Sequence, residues 1–215
     1  VAPEDRRPEP GRFVYAGSLA PWKGLEITLR ALSDVPEASL DVCGGDLASP
    51  DGRAAVDLAR ALGIAGRVRF HGSLPQPALR PFFASACAGI LPLDGRYSIA
   101  ARYTSPLKLF EYLCAGLPVV ASDLPSIREI VAHEKEGLLF EDRNAGALAS
   151  ALRRLASEPG LARRLGEEAQ SASASYTWQR RGERILAVCE EARAARAAKG
   201  ERSGRSADPA AGFVS

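Results

Sequence analysis

The stretch Tyr103-Thr-Ser-Pro-Leu-Lys-Leu-Phe-Glu-Tyr-Leu-Cys-Ala-Gly-Leu-Pro-Val-Val-Ala-Ser122 joins a helix start, an acid inside that helix, a helix stop and a buried strand. Ser105 is suited to cap the helix and Pro106 to its first turn, while Gly116 and Pro118 end it before the apolar run Val119-Val120-Ala121. Such a unit reads as the ligand-binding edge of an α/β domain, with the helix N-terminus as an anion seat. At about 100° per residue, Leu107, Phe110, Leu113 and Cys114 share an apolar side, and Lys108 and Glu111 lie together along the opposite edge. Lys108 in the first turn opposes the helix dipole by roughly 0.3–1 kcal/mol, a conflict that a bound anion would relieve. The plainer alternative is a surface i,i+3 pair of Lys108 and Glu111, worth about 0.2–0.5 kcal/mol.

A second segment of the same kind lies near the start. Arg12-Phe-Val-Tyr-Ala-Gly-Ser-Leu-Ala-Pro-Trp-Lys-Gly-Leu-Glu26 reads as a strand, a glycine turn and a helix opening near Gly24. Gly17 lets a backbone approach a ligand closely, and Lys23 adds a mobile cation. The segment lacks the terminal Gly-Lys-Ser/Thr of a phosphate loop. Two anion-suited loops at strand-to-helix or loop-to-helix junctions of one chain nevertheless make a stronger case for anion binding than either alone.

The wider pattern alternates strand and helix, predicting a doubly wound parallel sheet, Rossmann-like, with extra C-terminal helices. Strands are expected near 12–17, 39–43, 67–71, 88–92, 118–121 and 137–140. Helices are expected near 24–33, 52–62, 76–85, 106–115, 126–132, 145–156, 159–173 and 177–198, the last with an apolar stripe of Trp178, Ile185, Cys189 and Ala192. No internal repeat is evident. A chain of 215 residues with 46% apolar and 25% charged residues can build one substantial core. Its net charge of +2 gives no reason to invoke nucleic acid.

The absence of Met and the start at Val1 point to a chain cut from a longer one, with Pro3, Pro8 and Pro10 in an interdomain linker. The expected division is a linker over 1–10, an α/β domain over 11–175, a helix over 176–199 and a disordered tail over 200–215. Cys43, Cys87, Cys114 and Cys189 are widely spaced in apolar settings and read as buried reduced thiols, in keeping with a cytoplasmic location. His71 and His133 lack ligand spacing, so no metal site is expected. Arg96 and Arg102, in the polar loop 94–104, are either solvated or directed at phosphate or sugar. No signal peptide or membrane span is apparent; the Arg-rich run from Arg193 to Arg205 is either a solvated helix end or a peripheral contact with anionic lipid at the inner face of the membrane.

Along the chain, Tyr15-Ala-Gly-Ser-Leu with Lys23-Gly24, Val68-Arg-Phe-His-Gly72, Ser105-Pro-Leu-Lys-Leu-Phe-Glu111, Ala115-Gly-Leu-Pro-Val-Val-Ala-Ser122, Ile127-Arg-Glu-Ile130, Gly137-Leu-Leu139 and Tyr176-Thr-Trp178 occur in order. In this the sequence resembles the C-terminal, donor-binding half of the GT-B-fold retaining glycosyltransferases of family 4, the group 1 transferases. The resemblance implies a hexosyltransferase using a UDP- or GDP-linked sugar as donor substrate, with no separate cofactor. It also implies a carbohydrate or lipid-linked acceptor supplied through an N-terminal domain outside this chain.

By the same resemblance, Lys23 contacts the donor diphosphate and Glu111 accepts hydrogen bonds from the ribose, these two being the catalytic assignments. Gly17, Ser18, Thr104, Ser105 and Lys108 complete the donor-binding set with them. Two positions depart from the family pattern: Ser18 stands where an arginine is common, and Tyr103, eight residues before Glu111, stands where the first of two spaced acids usually lies. A subgroup with the Thr-Ser-Pro-Leu-Lys form shares the second departure. No pair of loop carboxylates suits hydrolysis by the two-acid route. A nucleotide-sugar epimerase of the same two-domain plan and a noncatalytic nucleotide-binding module are the alternative readings.

Overall fold

The computed structural model describes the backbone of residues 6–204 and the side chains of residues 6–196. Six strands, β1 (Arg12–Ala16), β2 (Ser39–Cys43), β3 (Val68–Gly72), β4 (Ala88–Leu91), β5 (Val119–Ser122) and β6 (Gly137–Phe140), pair in parallel in the order β3-β2-β1-β4-β5-β6. The strands are short and apolar because both sheet faces are covered: every residue of β4 and β5 is buried. The intervening helices are α1 (Leu25–Ser33), α2 (Pro50–Ala61), α3 (Arg80–Ser85), α4 (Leu107–Cys114) and α5 (Pro125–Arg128), and α6 (Ala145–Ser157) and α7 (Pro159–Ser173) follow β6. All six strands lie within a residue of their expected positions, and the doubly wound sheet is the one the alternation predicts.

The order places β1 and β4 side by side, so the chain leaves their C-terminal ends in opposite directions. This topological switch opens a crevice at the sheet edge. On one face α1 packs between α2 and α6, and on the other α4 packs on α7. Phe13, Leu29, Leu32, Leu40, Val42, Ile90, Val120, Leu138 and Leu152 are among the residues of the main core.

Several local expectations are corrected. Helix α4 starts at Leu107 with Pro106 as its N-cap and without any side-chain capping bond, so Ser105 does not cap it. Pro106 has an extended ψ of 113°, and a residue before proline is itself driven away from helical angles, which displaces the start past Ser105. The buried stripe of α4 is Leu109, Tyr112 and Leu113; Leu107 and Cys114 are exposed. Cys43 and Cys87 are buried, their thiols pushed up to about 12 chiefly by burial, but Cys114 and Cys189 are exposed, so the expectation of four buried thiols fails for two. The helix expected at 126–132 is the four-residue α5, and the one expected at 76–85 opens with a 3-10 turn at Gln76–Leu79.

The chain divides into two compact units between residues 174 and 175. The second contains α8 (Trp178–Gly204), which continues past the expected end at 199. On it Trp178, Ile185, Leu186 and Val188 are exposed, and the Arg181 guanidinium lies 5.7 Å from the Trp178 ring centroid. Residues 205–215 of the expected tail and 1–5 of the expected linker lie outside the described residues. Of the remaining linker, Arg6 donates to the carbonyls of Gly116 and Ala86, and the amides of Arg7 and Glu9 bond to Ala84 and Ser85. Among the described residues no helix is long and apolar enough to cross a membrane.

Candidate functional site

A cleft of about 350 Å³ opens at the switch point, lined by Tyr15 to Ser18 from the end of β1, Lys23, Leu91 from the end of β4, and Thr104 to Lys108 ahead of and at the start of α4. Of the residues singled out in the sequence, Gly17, Ser18, Lys23, Thr104, Ser105 and Lys108 all border this one cavity, although residues 18 and 104 are far apart in the chain. Glu111 lies one turn behind the wall and is joined to Lys108, whose Nζ donates to Glu111 Oε2 at 2.7 Å and Oε1 at 3.0 Å.

The β1 side is built from a tight turn. The strand ends at Ala16, and Tyr15 turns its hydroxyl back to donate to the Ser18 carbonyl at 2.5 Å; burial pushes that phenol well above its ordinary value. A 3-10 turn, Pro21–Lys23, follows and is stopped by Gly24 at φ 71°. A side chain at Gly24 would put its Cβ 1.7 Å from the Pro92 carbonyl oxygen, so glycine is demanded both by the left-handed backbone and by contact with the chain leaving β4. The Asp94 amide donates to the Trp22 carbonyl at 3.0 Å, a second tie between the same two segments. Gly17 differs: the three atoms nearest a Cβ there would all belong to the Tyr15 side chain, at 3.6–3.8 Å, an ordinary van der Waals contact. Nothing in the protein's own packing requires glycine at that lining position.

Lys23 emerges from this turn half-buried, its Nζ 4.0 Å from the centroid of the Trp22 ring. Burial lowers the affinity of its ammonium for the proton below that of an ordinary lysine. Among the described residues no carboxylate lies within ion-pair distance of it. A cation desolvated on an aromatic face in this way gains from an incoming anion.

The α4 side is anchored by Tyr112, a residue the sequence reading passed over. Its ring is fully buried, meets Phe83 edge-on at 5.3 Å and covers Gly89 of β4, where a Cβ would approach the ring to 2.7 Å. Its hydroxyl accepts the Ala16 amide at 2.9 Å, tying α4 directly to the end of β1. The two walls of the cleft are therefore joined through one buried side chain. The pairing of a glycine in β4 with an aromatic on the following helix was the available signal.

Between β4 and α4 the chain makes a π-helical turn, Ile99–Tyr103, which periodicity did not predict. Buried Ser126 of α5 donates to the Ala100 carbonyl at 2.7 Å and holds this turn down. Arg96 is paired with Asp94: burial alone would raise that carboxyl, but the hydrogen bonds and charge of Arg96 keep it below its ordinary range. Arg102 is exposed, and Tyr103 is 76% exposed just ahead of the cleft. His71 bonds Asp41 at 2.7 Å and His133 accepts the Leu139 amide, so both histidines have structural partners outside the cleft.

The sheet order and a cleft bordered by two lysines at its switch point define a Rossmann-like α/β domain. The chain belongs to the family described as glycosyl transferases group 1, whose model matches residues 10–158. Among its relatives, a D-inositol 3-phosphate glycosyltransferase of Jonesia denitrificans is 30% identical over 200 residues, covering 87% of this chain and 45% of the relative. Of solved structures, the sucrose-phosphate synthase of Thermosynechococcus elongatus superposes with a TM-score of 0.75 at 24% identity, over 87% of this chain and 46% of that one. The Anabaena protein Alr3699/HepE, in complex with UDP, superposes with a TM-score of 0.72 at 21% identity, over 84% and 49%. The chain thus spans less than half the length of the curated relatives it matches, 38% and 45% for two of them.

Proposed function

We propose that this chain is the donor-binding half of a retaining hexosyltransferase and that the β1/β4 cleft holds the diphosphate of a nucleotide sugar. The observation that carries this reading is the convergence of Lys23 and Lys108 on one switch-point cleft, beside the first turn of α4. Two cations suit a diphosphate, and the hydroxyls of Ser18, Thr104 and Ser105 suit its remaining oxygens. Glu111, beside the phosphate-facing wall, supplies an acceptor for ribose hydroxyls. The UDP carried by the Anabaena protein and the names of the relatives support the same reading. UDP and GDP are the nucleotides proposed.

As the bond from the anomeric carbon to the phosphate oxygen breaks, negative charge gathers on the departing diphosphate and the sugar becomes cationic. Lys23 and Lys108 are placed to stabilise that charge, and removing one such donor typically costs about 3 kcal/mol in barrier. Tyr103, exposed at the approach to the cleft, offers the sugar an aromatic face and a hydroxyl where the family more often has a carboxylate. The acceptor, a carbohydrate, a lipid-linked glycan or a polyol phosphate of the kind named for the relatives, enters from the rest of a longer protein. The 215 residues alone therefore bind donor but turn over little. Lipid contact, if the acceptor is lipid-linked, falls to the arginine-rich end of α8, where Arg193 and Arg196 are exposed.

Calorimetric titration of the 215-residue chain with UDP, GDP and their glucose conjugates tests the reading. One-site binding of at least one nucleotide, displaced by inorganic pyrophosphate, is expected. No heat from either nucleotide up to about 1 mM would remove the reading's basis.

A further inference from the structure

Lys108 belongs to the cleft wall and to Glu111 at once. Its ammonium donates to both carboxylate oxygens while its side chain lines the cavity, and the two side chains are only 28% and 23% exposed. An ion pair so covered is harder to open than a surface pair, and each member is a group that one end of a nucleoside diphosphate would seek. Lys23 has no such competitor among the described residues: its neighbour is the Trp22 ring.

The geometry points to an exchange latch, in which phosphate oxygens take Lys108 and the ribose diol takes Glu111, so that the two ends of the donor bind cooperatively through the opening of one ion pair. This rests on the donor-binding reading above. Whichever end arrives first must separate Lys108 from Glu111; the second finds its partner already released. By linkage the coupling is reciprocal, and its size equals the cost of separating the pair. Lys108 is then a specificity-determining residue. It disfavours a bare nucleoside, which has to strip Glu111 of its lysine, and favours the same nucleoside carrying phosphates. Ser18, a neutral hydroxyl where a second fixed cation would have made the phosphate end indifferent to Lys108, leaves the latch its influence.

The latch makes a quantitative demand. Removing the lysine frees Glu111, so a nucleoside alone must bind the variant more tightly than it binds the native chain, by the same factor as the coupling that disappears. NMR titrations of the 215-residue chain with uridine, guanosine, inorganic pyrophosphate, UDP and GDP measure both. In the native chain, saturating pyrophosphate is expected to tighten nucleoside binding about fivefold, and saturating nucleoside to tighten pyrophosphate equally. In Lys108→Met the coupling vanishes, the nucleoside alone gains about fivefold, and pyrophosphate and the nucleoside diphosphate weaken about threefold or more. Lys108→Gln, with spectra overlaying the native ones, serves as a second variant with the same expected signs. The latch is overturned if a nucleoside diphosphate binds while pyrophosphate leaves nucleoside affinity unchanged, or if Lys108→Met weakens nucleoside and pyrophosphate alike. Failure of both UDP and GDP to bind the native chain removes the donor reading itself, and the latch with it.

Discussion

The two lysines of the cleft stand on unlike ground. Lys23 ends a three-residue turn whose glycine stop is wedged against Pro92 and whose Trp22 carbonyl receives the Asp94 amide, so its position is fixed by backbone contacts. Lys108 opens a helix reached through a long segment with exposed Tyr97, Ile99, Tyr103 and Leu107, and its charge is spent on a neighbouring acid. One cation is preset and, among the described residues, has no acid to leave; the other is conditional. On the donor-binding reading proposed above, such a site would read the charge of its ligand on one side and the ligand's completeness on the other.

The fixed side can be broken most severely at Gly24. Gly24→Ala combines a positive φ with a collision against backbone and is expected to cost about 3 kcal/mol or more of stability, read as a lowered urea midpoint with an unchanged slope. Next in size, Lys23→Ala should weaken UDP or GDP binding by about tenfold to a hundredfold, more than Lys108→Met, because no ion-pair release offsets the loss. Tyr112→Phe leaves the ring packed against Phe83 but orphans the Ala16 amide, for an expected loss of about 1–2 kcal/mol in chemical unfolding; a midpoint equal to that of the native chain would show that the two walls are not joined through this hydroxyl.

The smallest effect is on protons. Burial depresses the Lys23 ammonium, so the folded chain holds fewer protons there than the unfolded one between the depressed value and 10.5, and this contribution to stability rises with pH across that window. A bound diphosphate acts the other way, favouring the ammonium. Binding on the alkaline side should therefore take up protons, and affinity should decline as pH passes through the depressed value. Calorimetry in two buffers of different ionisation enthalpy reads the uptake, which should disappear in Lys23→Ala.

Much of the sheet was legible because its strands are buried on both faces and appear as short apolar runs, Val119-Val120-Ala121 being the plainest. Strand order was not legible in the sequence; it is a property of crossover connections and appears only in the fold. The face of α4 was misread for a definite reason. Leu107, Phe110, Leu113 and Cys114 and the set Leu109, Tyr112 and Leu113 are both spaced for a helix, and Lys108 and Glu111 are compatible with either, so periodicity alone cannot choose. Packing chose the set containing Tyr112, whose ring has room over Gly89. The cleft residues Gly17, Lys23 and Lys108 were visible as glycine and cations at strand-to-helix junctions, whereas Tyr15 and Trp22 act through contacts that no local pattern announces, and Tyr112 was signalled only by the distant glycine in β4.

The most direct test is one set of calorimetric titrations of UDP and GDP into the native 215-residue chain, Lys23→Ala and Glu111→Ala, on opposite sides of the cleft. A diphosphate and ribose site spanning both walls predicts that Lys23→Ala weakens the preferred nucleotide by about tenfold or more and Glu111→Ala by about threefold or more, release of Lys108 offsetting part of the second loss. Affinity unchanged in both variants would contradict it and place the nucleotide elsewhere.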